Sequence, residues 1–174
     1  LSSATLPGNQ ADRKFFSHYY ARRLPAEVML DAVSAATDVP DEFKGYPTGT
    51  RAVQLPEPGV ASYFLTLFGR SDRVTACACE RMGEVTLPQL LHLQNGDELP
   101  KKIRSNEGRL AKLLKNENDD EVVPEIFWAT VTRQPRAEEL KSIRALLAAG
   151  DSREEVYRDL FWALLNSKDF AFNH

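Results

Sequence analysis

Apolar residues along this chain recur mostly at helical spacing and almost nowhere at the alternation of a strand. After Pro25, a residue suited to the first helical position, Met29, Ala32, Val33 and Ala36 share one face and predict an amphipathic helix that stops before Pro40. Tyr63, Phe64, Leu67 and Phe68 predict a short aromatic helix face ending at Gly69. Thr86 is placed as the N-cap of a helix with Leu87, Leu90 and Leu91 inward and Asn95-Gly96 as its exit, and Leu110, Leu113 and Leu114 mark another short helix.

The last third is the most regular. Asp119 and Asp120 open a helix with Val123, Ile126, Phe127 and Val131 inward, Pro124 in its first turn and Gln134-Pro135 as its stop. Leu140, Ile143 and Leu147 carry the next helix to Gly150. Ser152 to Glu155 has the spacing of a capping box for a final helix with Tyr157, Leu160, Phe161, Leu164 and Leu165 on one side. Short turns between these three predict antiparallel packing over 119–174. An echo links LHLQNGDEL at 91–99 with WALLNSKDF at 162–170. In each, Asn95 or Asn166 stands at a helix end where Asn tolerates the left-handed conformation, and the next bulky apolar residue folds back onto the helix.

Between residues 40 and 60 the pattern breaks. Pro40, Pro47, Pro56 and Pro58 with Gly45, Gly49 and Gly59 forbid a regular helix and leave a long irregular segment. Such a segment is either a binding loop or a packed wrap-around connection. Only Arg51 to Leu55 and Arg73 to Ala76 carry strand signal, at most a minor β-ribbon. The pattern as a whole predicts an all-α domain of about seven helices over 15–174, behind a polar tail or linker at 1–14.

Composition narrows the partners. The chain has 174 residues, 43% of them hydrophobic, enough for one core without disulfides or metals. Its 22 Lys and Arg against 25 Asp and Glu give a net charge of −3, so no positive field exists to hold a phosphate backbone and nucleic acid is not expected as a partner. No apolar run approaches the roughly 18–20 residues of a membrane span. The start, LSSATLPGNQ, lacks the regions of a signal peptide and an initiator Met, as expected of a mature product or a piece of a longer protein.

Signatures of nucleotide binding, acyl transfer, zinc proteolysis and covalent haem attachment are missing, and no catalytic residue, cofactor or metal is assigned. Paired glutamates such as Glu138/Glu139 and Glu154/Glu155 fall in first helical turns, where the helix dipole explains them. His18, in FFSHYY, reads as a packed or interfacial residue, and Phe15, Phe16, Tyr19 and Tyr20 with Arg22 and Arg23 read as docking the N-terminal segment on the core, or else as a stacking-plus-charge surface for sugars or peptide. The candidate binding residues are Arg51, Cys77, Cys79, Glu80, Arg81 and His92. Arg51 is a fork donor on the Pro/Gly segment, suited to a carboxylate or sulfate, or else to a tie to a helix-end carbonyl or an Asp. In CACER, Cys77 and Cys79 share a face if the backbone is extended. They offer only two of the four ligands of a zinc site, with His92, His18 or Glu80 as candidate further donors. A strained disulfide, and one cysteine buried as a small hydrophobe, are the other readings.

Six phrases in order, YYARRLPAEVMLDAV, FKGYPTGTRAVQLPEP, SYFLTLFGR, CACER, LLHLQNGDEL and FWALLNSKDFAFNH, resemble the C-terminal part of the planctomycete-specific domain of unknown function 1553, over residues 12–174. Residues 119–170 are also similar to a helical module common in bacterial surface proteins. The first resemblance implies a C-terminal module of a larger exported protein, periplasmic or at the cell surface, often with a cytochrome-c-like domain upstream. It implies no activity. The expectation is a non-catalytic interaction or structural domain whose partners are upstream domains of the same polypeptide or another protein, in an oligomeric state the sequence does not set. The competing expectation is an accessory part of a hydrolase or redox assembly, in which Arg51 converges with Cys77, Cys79 or His92 in a pocket.

Overall fold

Pro25, at φ −55°, sets the entry of the first helix, α1 (Ala26–Thr37), in the computed structural model, which describes residues 5–12, 14–19, 21–56, 59–70, 97–150 and 152–173. The predicted stripe is real, and it is divided between two cores. Ala26, Met29 and Leu30 pack with Phe43, Ala52, Leu55, Phe64, Leu65 and Phe68. Val33 and Ala36, further along the same helix, join a larger cluster built from residues 99 to 170. Helix α1 is therefore shared by the N-terminal and C-terminal halves of the molecule.

Three cations secure its C-terminal end, where the helix dipole and unsatisfied carbonyls favour positive charge. Arg109 Nε donates to Ala36 O at 2.7 Å, Lys102 Nζ donates to Val39 O at 2.6 Å, and Lys112 pairs with Asp38. Asp38 itself caps the helix in the left-handed conformation, φ 58°. The turn just before Arg109 comes so near that a Cβ on Gly108 would lie 3.2 Å from both Thr37 O and Val39 Cγ2.

Ser62 caps α2 (Tyr63–Leu67) by accepting from Leu65 N–H, and Phe64 and Phe68 stack beneath it at 4.2 Å between ring centres. Two short helices follow the undescribed segment: α3 (Glu98–Ile103), which the sequence pattern did not announce, and α4 (Arg109–Leu113). Leu99 and Ile103 of α3 are buried in the larger core.

The three C-terminal helices are α5 (Asp119–Val131), α6 (Ala137–Ala148) and α7 (Arg153–Leu165), and α3, α5 and α6 all pack against α7. Val123, Ile126, Phe127 and Val131 are buried as expected, as are Tyr157, Phe161, Leu164 and Leu165. A four-residue helix, α8 (Lys168–Ala171), ends the series and buries Phe170 against the same core. Eight helices stand among the described residues, and the chain is all-α.

The details of the helix ends differ from the sequence expectations. Asn118 caps α5 through Asp120 N–H, so Pro124 lies beyond the first turn and removes the hydrogen bond that Asp120 O would otherwise accept. Ser152 holds the N-cap position of α7, but its hydroxyl makes no capping bond there. A reach-back bond of the capping-box kind forms instead at α6, where Glu139 Oε2 accepts from Arg136 N–H at 2.6 Å. Asn166 is at the end of α7 at φ −92°, not left-handed, and its amide donates to Trp162 O at 2.8 Å. The segment Arg51 to Leu55 is not a strand. Ala52–Gln54 form a single 3₁₀ turn, because Asp31 on α1 accepts from both Ala52 N–H (2.6 Å) and Val53 N–H (3.2 Å) and holds the backbone coiled. The ribbon lies elsewhere: β1 (Arg22–Arg23) pairs antiparallel with β2 (Phe172–Asn173), joining the segment that enters α1 to the residues that follow α8.

Candidate functional site

The Pro/Gly segment brings Arg51 to a pocket of about 280 Å³ against the C-terminal half of α1. Its wall includes Asp31, Ser34, Ala35, Asp38, Pro40 and Thr50. Most of the charge in that wall is already committed. Both oxygens of Asp31 accept backbone N–H groups, Asp38 pairs with Lys112, and Asp41 pairs with Lys102 at 3.1 Å and accepts from Ser34 Oγ at 2.6 Å. The backbone of Arg51 is fixed too, since its N–H donates to Gln54 Oε1 at 2.9 Å. Its side chain is exposed, and among the described residues the guanidinium has no hydrogen-bond or ion-pair partner. Among the described residues, then, Arg51 makes no tie to an Asp or to a helix-end carbonyl. Arg109 and Lys102 occupy the helix-end carbonyls.

A second, larger groove of about 690 Å³ runs between α6 and α7, with Ile143, Leu146 and Leu160 in its wall and Arg104, Arg158 and Asp159 along it. Helix α6 buries only Ile143 completely, and Leu146 is 50% exposed. Arg158 in this groove is tied to Glu154 one turn earlier.

Two charged clusters with no local signal in the sequence hold the C-terminal helices together. In one, Asp119 accepts from the Tyr157 hydroxyl at 2.5 Å and from Arg153 Nε at 2.8 Å, while the other Arg153 nitrogens donate to Leu114 O and Asn116 O. The Tyr157 hydrogen bond and the Arg153 guanidinium keep the Asp119 carboxyl below its ordinary range. Burial, then the neighbouring carboxylate, pushes the Tyr157 phenol up. In the other cluster Arg133 donates to both oxygens of Glu139 at 2.8 Å and to Asp169 Oδ2 at 3.1 Å. That guanidinium pulls Glu139 down to about 2. Lys112 likewise lowers Asp38. Each of these carboxylates is stabilised as the anion, the opposite of what a general acid poised near neutrality requires.

Of the residues singled out in sequence, Cys77, Cys79, Glu80, Arg81 and His92 lie outside the described residues, as do the helix expected after Thr86 and the strand signal at 73–76. His18 is buried, at 8% exposure. Phe15 and Phe16 do not dock on the core: they are 80% and 60% exposed, on a turn organised by the Asp12 carboxylate, which accepts from Lys14, Phe15 and Ser17 N–H groups. Among the described residues no group of His, Cys, Asp and Glu is arranged to hold a metal ion, and no helix is long and apolar enough to cross a membrane.

A family model described as a protein of unknown function (DUF1553), PSD1, matches residues 2–147. The match takes in five of the six phrases noted in the sequence, with FWALLNSKDFAFNH beyond its end. No curated protein and no solved structure matches the chain.

Proposed function

From the premise that the chain belongs to this family, a protein of unknown function (DUF1553, PSD1), we propose that it is a non-catalytic interaction module within a larger exported protein, docking on upstream domains of the same polypeptide. The observation that supports this reading is the use made of the charged groups. Asp119, Glu139 and Asp38, whose carboxyls are all held below their ordinary range, are each spent joining one helix to another and kept as anions. Perturbation of this kind marks structural ion-pair networks as well as catalytic sites, and the downward direction, with every partner a helix-joining one, supports the structural reading.

Large apolar side chains remain outside those ties, Trp128 at 46% exposure and Leu146 at 50%. Aromatic residues of this kind are enriched at protein interfaces. The test uses the two tryptophans of the chain. In a Trp162→Phe background, acrylamide quenching of Trp128 is compared between this chain and the full-length gene product. Reduced quenching in the full-length protein, with hydrogen-exchange protection on the same helix, is the expected result. Equal quenching and equal exchange throughout would overturn the docking reading.

A further inference from the structure

We infer that the Arg51 pocket is a binding site for a monocarboxylate on a short apolar stem. The inference goes beyond the interaction role and does not depend on it.

Placement comes first. Arg51 sits on a segment whose backbone is tied at several points: Gln54 Oε1 takes its N–H, Thr50 Oγ1 donates to Pro47 O at 2.7 Å, and Asp31 fixes the next two residues to α1. Ala52 and Leu55, at 0% and 1% exposure, anchor the same turn in the core. A guanidinium carried on such a turn loses little backbone freedom on binding, which is the advantage of preorganisation.

Charge decides the ligand class. The three aspartates of the wall are occupied by backbone N–H groups, Lys112, and Lys102 with Ser34. Arg51 is the charged group of the wall left without a partner among the described residues. Its fork of donors matches a carboxylate bidentately. An amine would meet carboxylates already committed to other donors. A phosphate or sulfate would set two charges beside Asp31, Asp38 and Asp41, so a single negative charge is favoured.

Size decides the rest. A pocket of about 280 Å³ falls at the lower end of ligand-binding cavities, roughly 300–1,000 Å³. Ala35 and Pro40 in its wall offer apolar surface to a short stem. The same carboxylate chemistry is presented by a free small acid and by the C-terminus of a polypeptide.

The experiment titrates the intact chain, followed by amide chemical shifts and calorimetry, with hexanoate, hexanamide and hexylammonium. A tripeptide ending in leucine is added with its terminus free or amidated. Saturable binding of hexanoate or of the free-terminus peptide is expected, with shifts centred on Arg51 and Ala35, and the tighter of the two identifies the source. Arg51→Gln should weaken that binding about tenfold or more through loss of a charge-assisted pair, and Arg51→Lys should weaken it less. Because the Arg51 guanidinium has no hydrogen-bond or ion-pair partner among the described residues, both variants should keep the wild-type circular dichroism spectrum and melting temperature. The inference is overturned if neither carboxylate binds, if the amide or amine binds as well as the acid, or if folded Arg51→Gln binds as tightly as wild type.

Discussion

The hydroxyl of Tyr157, a fully buried residue of α7, donates to Asp119 Oδ1 in the first turn of α5 at 2.5 Å, across 38 positions of sequence. Arg153 lies over the same ring, 5.0 Å from its centre, and holds the same carboxylate. Tyr157→Phe keeps the ring and removes the donor, while the partly exposed Asp119 keeps Arg153. The expected loss in urea unfolding is about 1 kcal/mol, that of one hydrogen bond to a charged group whose partner can rehydrate. A loss of the size caused by removing the whole ring would mean that the hydroxyl orders more of the α5–α7 contact than this bond.

Acid should weaken the C-terminal helices. Asp119 and Glu139 both have folded-state values below their ordinary ones, so their contribution is complete above the ordinary value and is lost as pH falls through the folded one. For Glu139 that window runs from 4.5 down to about 2. Urea midpoints should fall across this range. Glu139→Gln should lower the midpoint near neutrality and flatten the descent below 4.5. An acid limb as steep as that of the parent would show that Arg133 does not favour the Glu139 anion.

Adjacent aromatic residues on α7 should differ sharply. Phe161 is 0% exposed in the larger core, while Trp162 is only partly buried against it. Phe161→Ala should cost about 3–5 kcal/mol as a large-to-small core change, and Trp162→Ala less. Chemical denaturation that ranked them the other way would put the inward face of α7 one residue out.

Gly108 stands where the loop before α4 meets the end of α1. A methyl group there would meet two backbone oxygens, Ser105 O and Thr37 O, at 3.2 Å. Neither is a flexible side-chain end that can turn aside. Gly108→Ala should therefore destabilise by about 1–3 kcal/mol, as overpacking does. Enhanced exchange should be centred on Asp38 and Lys112, and a neutral result would show that the loop can withdraw from α1 at no cost.

What the sequence determined by itself was the helical period and its direction. The stripes of α1, α5 and α7 were legible because burying one apolar face of a helix requires that spacing, and Val123, Ile126, Phe127, Tyr157 and Phe161 are inward as it dictates. Arg51 was legible as an unusual charge on a Pro/Gly segment, though not the pocket beside it. Tertiary structure alone decided the rest. Residues 51–55 were open to a strand until Asp31, some twenty positions earlier in the chain, accepted the N–H groups of Ala52 and Val53 and coiled them. The ribbon at Arg22–Arg23 and Phe172–Asn173 has no local signal, because only the packed core brings the two segments together. The joins between Asp119 and Tyr157 and between Arg133 and Asp169 were likewise hidden. The helix dipole explained Asp119 locally, and which cation or phenol each acidic residue would meet depends on how whole helices pack, a quantity that no short window of sequence contains.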